Sequence, residues 1–326
     1  MSHEVENMFS VVETPWHGLG TIVNQAPNVQ DAIELAGLNW SVSKEKLFTI
    51  DGRDSGAYAL QRDTDKSILS VVGEHYTPLQ NSESFQWFNP FLETGECSLE
   101  TAGSLRQGQR IWVLAKLNRS PIDVGNGDLV NKYLLLSNGH DGILAARVSL
   151  TPIRVVCANT LSAAHNDKGS SFIRVKHSRQ VKENLDSIRD IINTTDATFE
   201  ATAEKYRYLT TRQVNTKDIE KYVKTVFELP EIVDTDRQKA SQDALIKNIE
   251  YLFKYGKGQD LKSANGTAWG MYNAVTEYLS YKAGRVKNPA MLDDLRHKDQ
   301  RLNNLWFGSN KTMNETALEE AIKIVA

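Results

Sequence analysis

The chain has 326 residues, 40% hydrophobic and 24% charged, with a formal net charge of −3. Those proportions belong to a folded globular protein, and the length suffices for one large domain or two ordinary ones. A slightly acidic balance excludes coating of nucleic acid by bulk charge and leaves only a local basic groove open. No apolar run approaches the roughly 18 residues that span a bilayer. The opening MSHEVENMFS lacks the basic and apolar regions of a secretory leader. Cys97 and Cys157, the only two cysteines, make no disulfide framework and lie in no CxxC or Cys/His pattern. A cytoplasmic protein without membrane contact is expected.

The first distinctive stretch is Trp16-His17-Gly18-Leu19-Gly20. Its glycines permit positive φ and a close backbone approach, but the spacing is not that of a dinucleotide fingerprint. His17 is either a ligand contact or a hydrogen-bonded turn residue. Val29–Gly37 predicts a short amphipathic helix capped by Asn28 and stopped by Gly37. From Trp40 to about Leu117 the patterns are mostly strands: Leu47–Ile50, Ala57–Arg62 and Leu69–Val72 are divided by Asp/Gly/Ser turn clusters. Asn81–Leu92 reads as a helix with Phe85, Phe88 and Leu92 on one face, kinked at Asn89-Pro90. Leu99–Leu105 and Arg110–Leu117 predict a hairpin with one face buried and the other half covered. Pro121–Asn131 reads as a loop.

The densest basic charge follows. Lys132–Ser137 and Ile143–Leu150 predict a second hairpin across Asn138-Gly139 and Asp141-Gly142, and Thr151-Pro152 marks a joint. Ile153–Cys157 repeats the strand pattern, Ala158–Ala164 is helix-compatible with Asn159 or Thr160 as cap, and Phe172–Lys176 is another short strand. Between Ala145 and Lys182 stand Arg147, Arg154, Lys168, Arg174, Lys176, Arg179 and Lys182, against the single acid Asp167. In an acidic chain that local excess is informative, although a solvated strand face paired to acids elsewhere would look the same.

The second half is helical. Val181, Leu185, Ile188 and Ile192 form an amphipathic stripe, which Phe199, Ala203, Tyr206 and Leu209 continue in a second helix. Thr216 opens a third that Leu229-Pro230 ends. Residues 231–241 read as a flexible polar connection. Helices over Ala244–Tyr255, Ala268–Lys282 and Glu315–Val325 complete the chain.

No catalytic motif emerges. A nucleophile–base pair would have to join Cys157 to His165 or His17, yet Cys157 follows an apolar strand and free cysteine is among the most buried residue types. The seven histidines show no HxxxH or HExxH spacing. Lys254–Lys262 lacks the order of a phosphate loop. Neither a metal nor a cofactor is expected. A groove for single strands needs basic charge along the phosphates and aromatic faces for the bases. Arg147, Arg154, Arg174, Lys176 and Arg179 supply the first. Trp112, Tyr133, Phe172, Trp269 and Tyr272 are candidates for the second, against the alternative that they are core anchors. Gly266-Thr267-Ala268-Trp269-Gly270 is either a helix start whose N–H groups face an anion or a close helix contact with Trp269 buried.

Four stretches together resemble the phage/plasmid-like proteins that carry domain of unknown function 932. They are Pro15–Gly20; Asp141-Gly142 with Arg154-Val155-Val156-Cys157-Ala158-Asn159-Thr160-Leu161; Asn265–Tyr278; and Arg301 with Trp306-Phe307-Gly308. The resemblance covers most of the chain and implies a mobile-element protein with no assigned reaction. Trp16, His17, Gly18, Gly20, Asn159 and Trp269 are candidates for a ligand-binding or structural motif. A weaker similarity, in element order and basic strand residues, is to phage single-strand annealing proteins.

The resulting expectation is an α+β protein, antiparallel and strand-rich over 1–177 and helical over 178–326, the two regions packed as one composite unit. It is expected to be non-enzymatic and to bind single-stranded DNA through the basic centre, assisting annealing or recombination, as a homo-oligomer or with a host or phage protein. The alternative is an accessory protein with a protein-binding helical surface, and a third is a small-molecule enzyme using His17.

Overall fold

The computed structural model describes residues 5–11, 21–154, 172–186, 191–283, 303–306 and 308–326. The Trp16–Gly20 motif, Cys157, Asn159 and His165 lie outside the described residues, as does the side chain of Arg154. The architecture is α+β, with strands in the N-terminal half and helices in the C-terminal half. Two compact units divide the chain. One is Met1–Arg119, Tyr133–Leu150 and Ser170–Thr195; the other is Ser120–Lys132, Thr151–Gly169 and Asp196–Ala326.

In the first unit, β1 (Val5–Val11), β2 (Thr21–Val23), β6 (Cys97–Leu105), β7 (Arg110–Leu117), β9 (Leu129–Gly139), β10 (Ala146–Arg154) and β11 (Phe172–Val175) form a sheet in the order β11-β10-β9-β7-β6-β1-β2. The β1–β2 edge is parallel; β1–β6, β6–β7, β7–β9 and β10–β11 are antiparallel. The hairpin predicted over Leu99–Leu117 is present, but both faces of β7 are buried: Ile111, Trp112, Val113 and Ala115 are wholly covered. Such double burial explains its nearly continuous apolar run. A separate antiparallel sheet, β3 (Val42–Phe48), β4 (Asp54–Arg62) and β5 (Ile68–Val72), matches the turn clusters between its strands.

Helix α1 (Val29–Leu35) starts where Asn28 Oδ1 accepts the Asp31 N–H at 2.9 Å. The stretch from Asn81 is two short helices rather than one, α2 (Asn81–Gln86) and α3 (Asn89–Glu93). Pro90 sits in the first turn of α3, where its missing N–H costs nothing. Strand β10 runs through Pro152 instead of ending there. β11 pairs only Ala146–Ser149, so Pro152 has no bond to β11 to forgo, and its fixed φ suits extended backbone. Ile143, assigned by pattern to the strand, is exposed in the turn before it. After β11, α4 (Val181–Asp186) begins beyond Ser178.

The second unit holds the short β8 (Ile122–Asp123), paired with the start of β9 inside the stretch that reads as a loop. Its helices are α5 (Ile191–Thr210), α6 (Thr216–Val226), α7 (Asp236–Tyr255), α8 (Ala268–Glu277), a π-helical turn (Tyr278–Lys282) and α9 (Ser309–Val325). All ten residues of α8 are buried, which is the signature of a helix at the centre of a core. Phe199, Ala203, Tyr206 and Leu209 of α5 present a fully buried stripe, and the Tyr222 hydroxyl of α6 donates to Ala317 O of α9 at 2.8 Å. The polar stretch before Ala244 is already helical from Asp236. Thr235 caps it, its Oγ1 accepting the Gln238 N–H at 3.2 Å.

Candidate nucleic-acid interface

Strand β11 lies at the edge of the large sheet, and its register on β10 sets Arg147 directly opposite Arg174. Alternation along both strands puts Ala146, Val148, Ile173 and Val175 on one face, and Arg147 and Arg174 on the other. Ala146, Val148 and Val175 are buried, whereas Arg174 and Lys176 are exposed. Lys176, two residues past Arg174, keeps the same parity. Like charges set directly opposite disfavour pairing. Burial first, then the charges of Arg174 and Arg110, lower the Arg147 pKa from its ordinary value; a guanidinium nevertheless stays charged.

Asp141 is an acid of this neighbourhood. Asp141 holds Arg110 Nε at 2.9 Å and accepts the N–H groups of Ile143 and Leu144 at 2.8 and 2.7 Å. Burial pushes its carboxyl upward, but the two N–H groups and Arg110 prevail and hold it below the usual carboxylate range. Asp141 is thereby committed to its turn and to Arg110. Among the described residues, Arg174 and Lys176 have no carboxylate within ion-pair distance. Arg179 is also exposed, and with His75, Ser178 and Gln180 it lines an open pocket of about 480 Å³. Lys182 pairs with Glu83 and is therefore less available to an anion.

The turn behind these charges is held by hydrogen bonds and ring stacking. The Tyr76 hydroxyl donates to Gly139 O at 2.8 Å, and the Tyr76 ring stacks on His177 at 4.8 Å between centroids. His177 Nδ1 faces Thr77 O at 3.3 Å. His140 is wholly buried, with Nε2 3.0 Å from Asn81 Oδ1. Asn81 Nδ2 already donates to Leu38 O and Trp40 O, so its oxygen is the acceptor and His140 Nε2 carries the proton. Burial, then the neighbouring His177, pulls the His140 imidazole down to about 3. It is neutral at physiological pH and supports the turn rather than serving as a base. Asp141, Arg110 and His140 escape a search for motifs because only the fold brings them together; the Asn-Gly-His-Asp-Gly run signals a turn and no more.

Of the five aromatics expected in the groove, the four whose side chains are described are not at this surface. Trp112, Trp269 and Tyr272 are fully buried and Tyr133 nearly so, which prevents base stacking; the Phe172 side chain lies outside the described residues. Trp269 is a packing residue in the second unit. Its Nε1 donates to Asp128 Oδ2 at 2.8 Å, and Ser263 Oγ donates to the same oxygen at 2.7 Å. A Cβ on Gly270 would come within 2.1 Å of Ala264 O, and Thr267 Oγ1 accepts the Gly270 N–H at 3.2 Å. The Gly266–Gly270 stretch is thus a capped, close-packed helix start. Cys97 is buried, and burial followed by the Glu96 charge pushes its thiol up to about 12, far from a reactive thiolate.

Among the described residues no group of three or more His, Cys, Asp or Glu could hold a metal ion, and no helix is long and apolar enough to cross a membrane. The family described as Domain of unknown function (DUF932) matches residues 68–306. No curated protein and no solved structure matches the chain.

Proposed function

The chain belongs to the DUF932 family, a description that assigns no reaction, and we propose that it binds single-stranded nucleic acid through its β10–β11 edge. The observation that supports this most is the direct opposition of Arg147 and Arg174 with Lys176 beside them. A polyanion lying along that face would relieve the repulsion built into the register. Arg174 and Lys176 are about 7 Å apart along the strand, a repeat on the scale of an extended nucleotide, and Arg179 continues the basic face. Phosphate contacts of this kind position a strand without reading its sequence. The role we attach to the site is non-enzymatic assistance to annealing or recombination in a phage- or plasmid-borne setting, with self-assembly on the strand.

The test is binding of a labelled oligonucleotide across a salt series, with native mass measured alongside. Three or four phosphate contacts give a log–log salt slope of about −2 to −3 for a single strand. Retention of a specific protein with no affinity for nucleic acid would replace this reading with that of a protein-binding accessory factor.

A further inference from the structure

Two exposed aromatic faces stand together on the second unit. Tyr251 and Tyr255, one turn apart near the end of α7, are 56% and 61% exposed, with ring centroids 5.1 Å apart at 49°. Lysines surround them. Lys254 Nζ is 5.1 Å from the Tyr255 ring, Lys282 Nζ is 5.4 Å from the Tyr251 ring, and Lys257 Nζ is 5.6 Å from the Tyr281 ring. Lys247, exposed and four residues before Tyr251, shares its helix face. Lys282 reaches this face from the π-helical turn that follows α8, and such wide turns recur at functional sites. Four acids stand close in the sequence: Asp243, Glu250, Asp260 and Glu277, the last buried and receiving the Lys257 N–H at 3.2 Å. Among the described residues, Lys247, Lys254, Lys257 and Lys282 have no carboxylate within ion-pair distance.

We infer that Tyr251, Tyr255 and the lysines around them form a second binding platform, on which the bases of a single-stranded nucleic acid stack while its phosphates meet Lys247, Lys254, Lys257 and Lys282. The inference rests on the proposed affinity for single strands and assigns the base-contacting part of it to another unit. Charge complementarity selects the occupant. The four lysines, without a carboxylate partner among the described residues, offer contacts to phosphates, and two uncovered rings call for flat partners, which a single strand exposes and a duplex hides. Stacking on tyrosine is tolerant of sequence because every base has a π face.

The experiment uses the full-length chain and an oligothymidylate of about 20 nucleotides, longer than the roughly 4–16 that a single-strand site occupies. Beside it are an abasic strand of equal length and a duplex. Tyr251→Ala with Tyr255→Ala should weaken oligothymidylate binding by about tenfold or more, leave the salt slope unchanged, and leave abasic-strand binding as it was. Tyr251→Phe with Tyr255→Phe, which keeps both rings, should bind like the parent. Photocrosslinking with iododeoxyuridine should mark the peptide carrying Tyr251 and Tyr255. The platform is overturned, with the β10–β11 reading intact, if the alanine variant binds like the parent while Arg174→Ala with Lys176→Ala weakens binding. Equal affinity for abasic and base-bearing strands, or crosslinks only elsewhere, has the same meaning. Absence of any binding at low salt overturns both.

Discussion

His140 is buried without charge at a point where an ordinary imidazole would titrate, and that has a consequence for stability. Its folded pKa is about 3 against 6.5 for an ordinary histidine, so the unfolded chain takes up a proton at a pH where the folded one does not. The stabilisation is complete above pH 6.5 and is lost as pH falls from there toward 3, at up to about 1.4 kcal/mol per unit. His177, lowered mainly by burial, adds in the same direction. Asp141 is also depressed and contributes only lower, as pH falls below the ordinary carboxylate value of 3.8. Denaturant midpoints between pH 7 and 4.5 should therefore decline, and His140→Gln, although less stable overall, should show a shallower decline. An unchanged slope would mean that His140 is not held neutral. In the second unit, Asp128→Ala would leave the Ser263 hydroxyl and Trp269 indole without their shared acceptor. The expected loss is about 2–3 kcal/mol, measurable as a shifted denaturation midpoint, and a loss within error would show that this oxygen does not organise the start of α8.

Elements are where charge and topology meet. Arg174→Glu would convert the repulsive pair with Arg147 into an attractive cross-strand pair, stabilising the sheet by up to about 1 kcal/mol while abolishing attraction for phosphates. Stability should rise as binding falls, and a variant that loses both would point to a purely structural Arg174. Much of the element layer was legible. Turn clusters delimited β3, β4 and β5, and Asn28 placed the start of α1. Residues whose surroundings overrode their local signal were not. Pro152 reads as a strand end but sits where β11 offers no partner, and Trp112 reads as half covered but lies on a strand buried on both faces. The start of α7 was hidden because a nearly all-exposed helix carries no apolar stripe over residues 236–244 to reveal its period.

The whole molecule combines strand-rich and helical halves, as the change of periodicity near Ser178 implies, though the compact units interleave along the chain. That interleaving has no local signature, because it depends on long-range pairing such as that of β9. The candidate site was half legible for the same reason. The basic residues are clustered in sequence, so Arg147, Arg174, Lys176 and Arg179 could be named. Trp269 and Tyr272 are equally aromatic whether buried or exposed, and only the fold separates them from Tyr251 and Tyr255.

The central claim, that the β10–β11 face holds phosphate backbones, is tested most directly by the salt dependence of single-strand binding in two proteins. The parent should bind with a log–log slope of about −2 to −3, and Arg174→Ala with Lys176→Ala, still folded, should lose about 1 to 1.5 of that magnitude. The loss should be similar for strands of different sequence. An identical slope in the two proteins, or no binding by the parent at low salt, would contradict it.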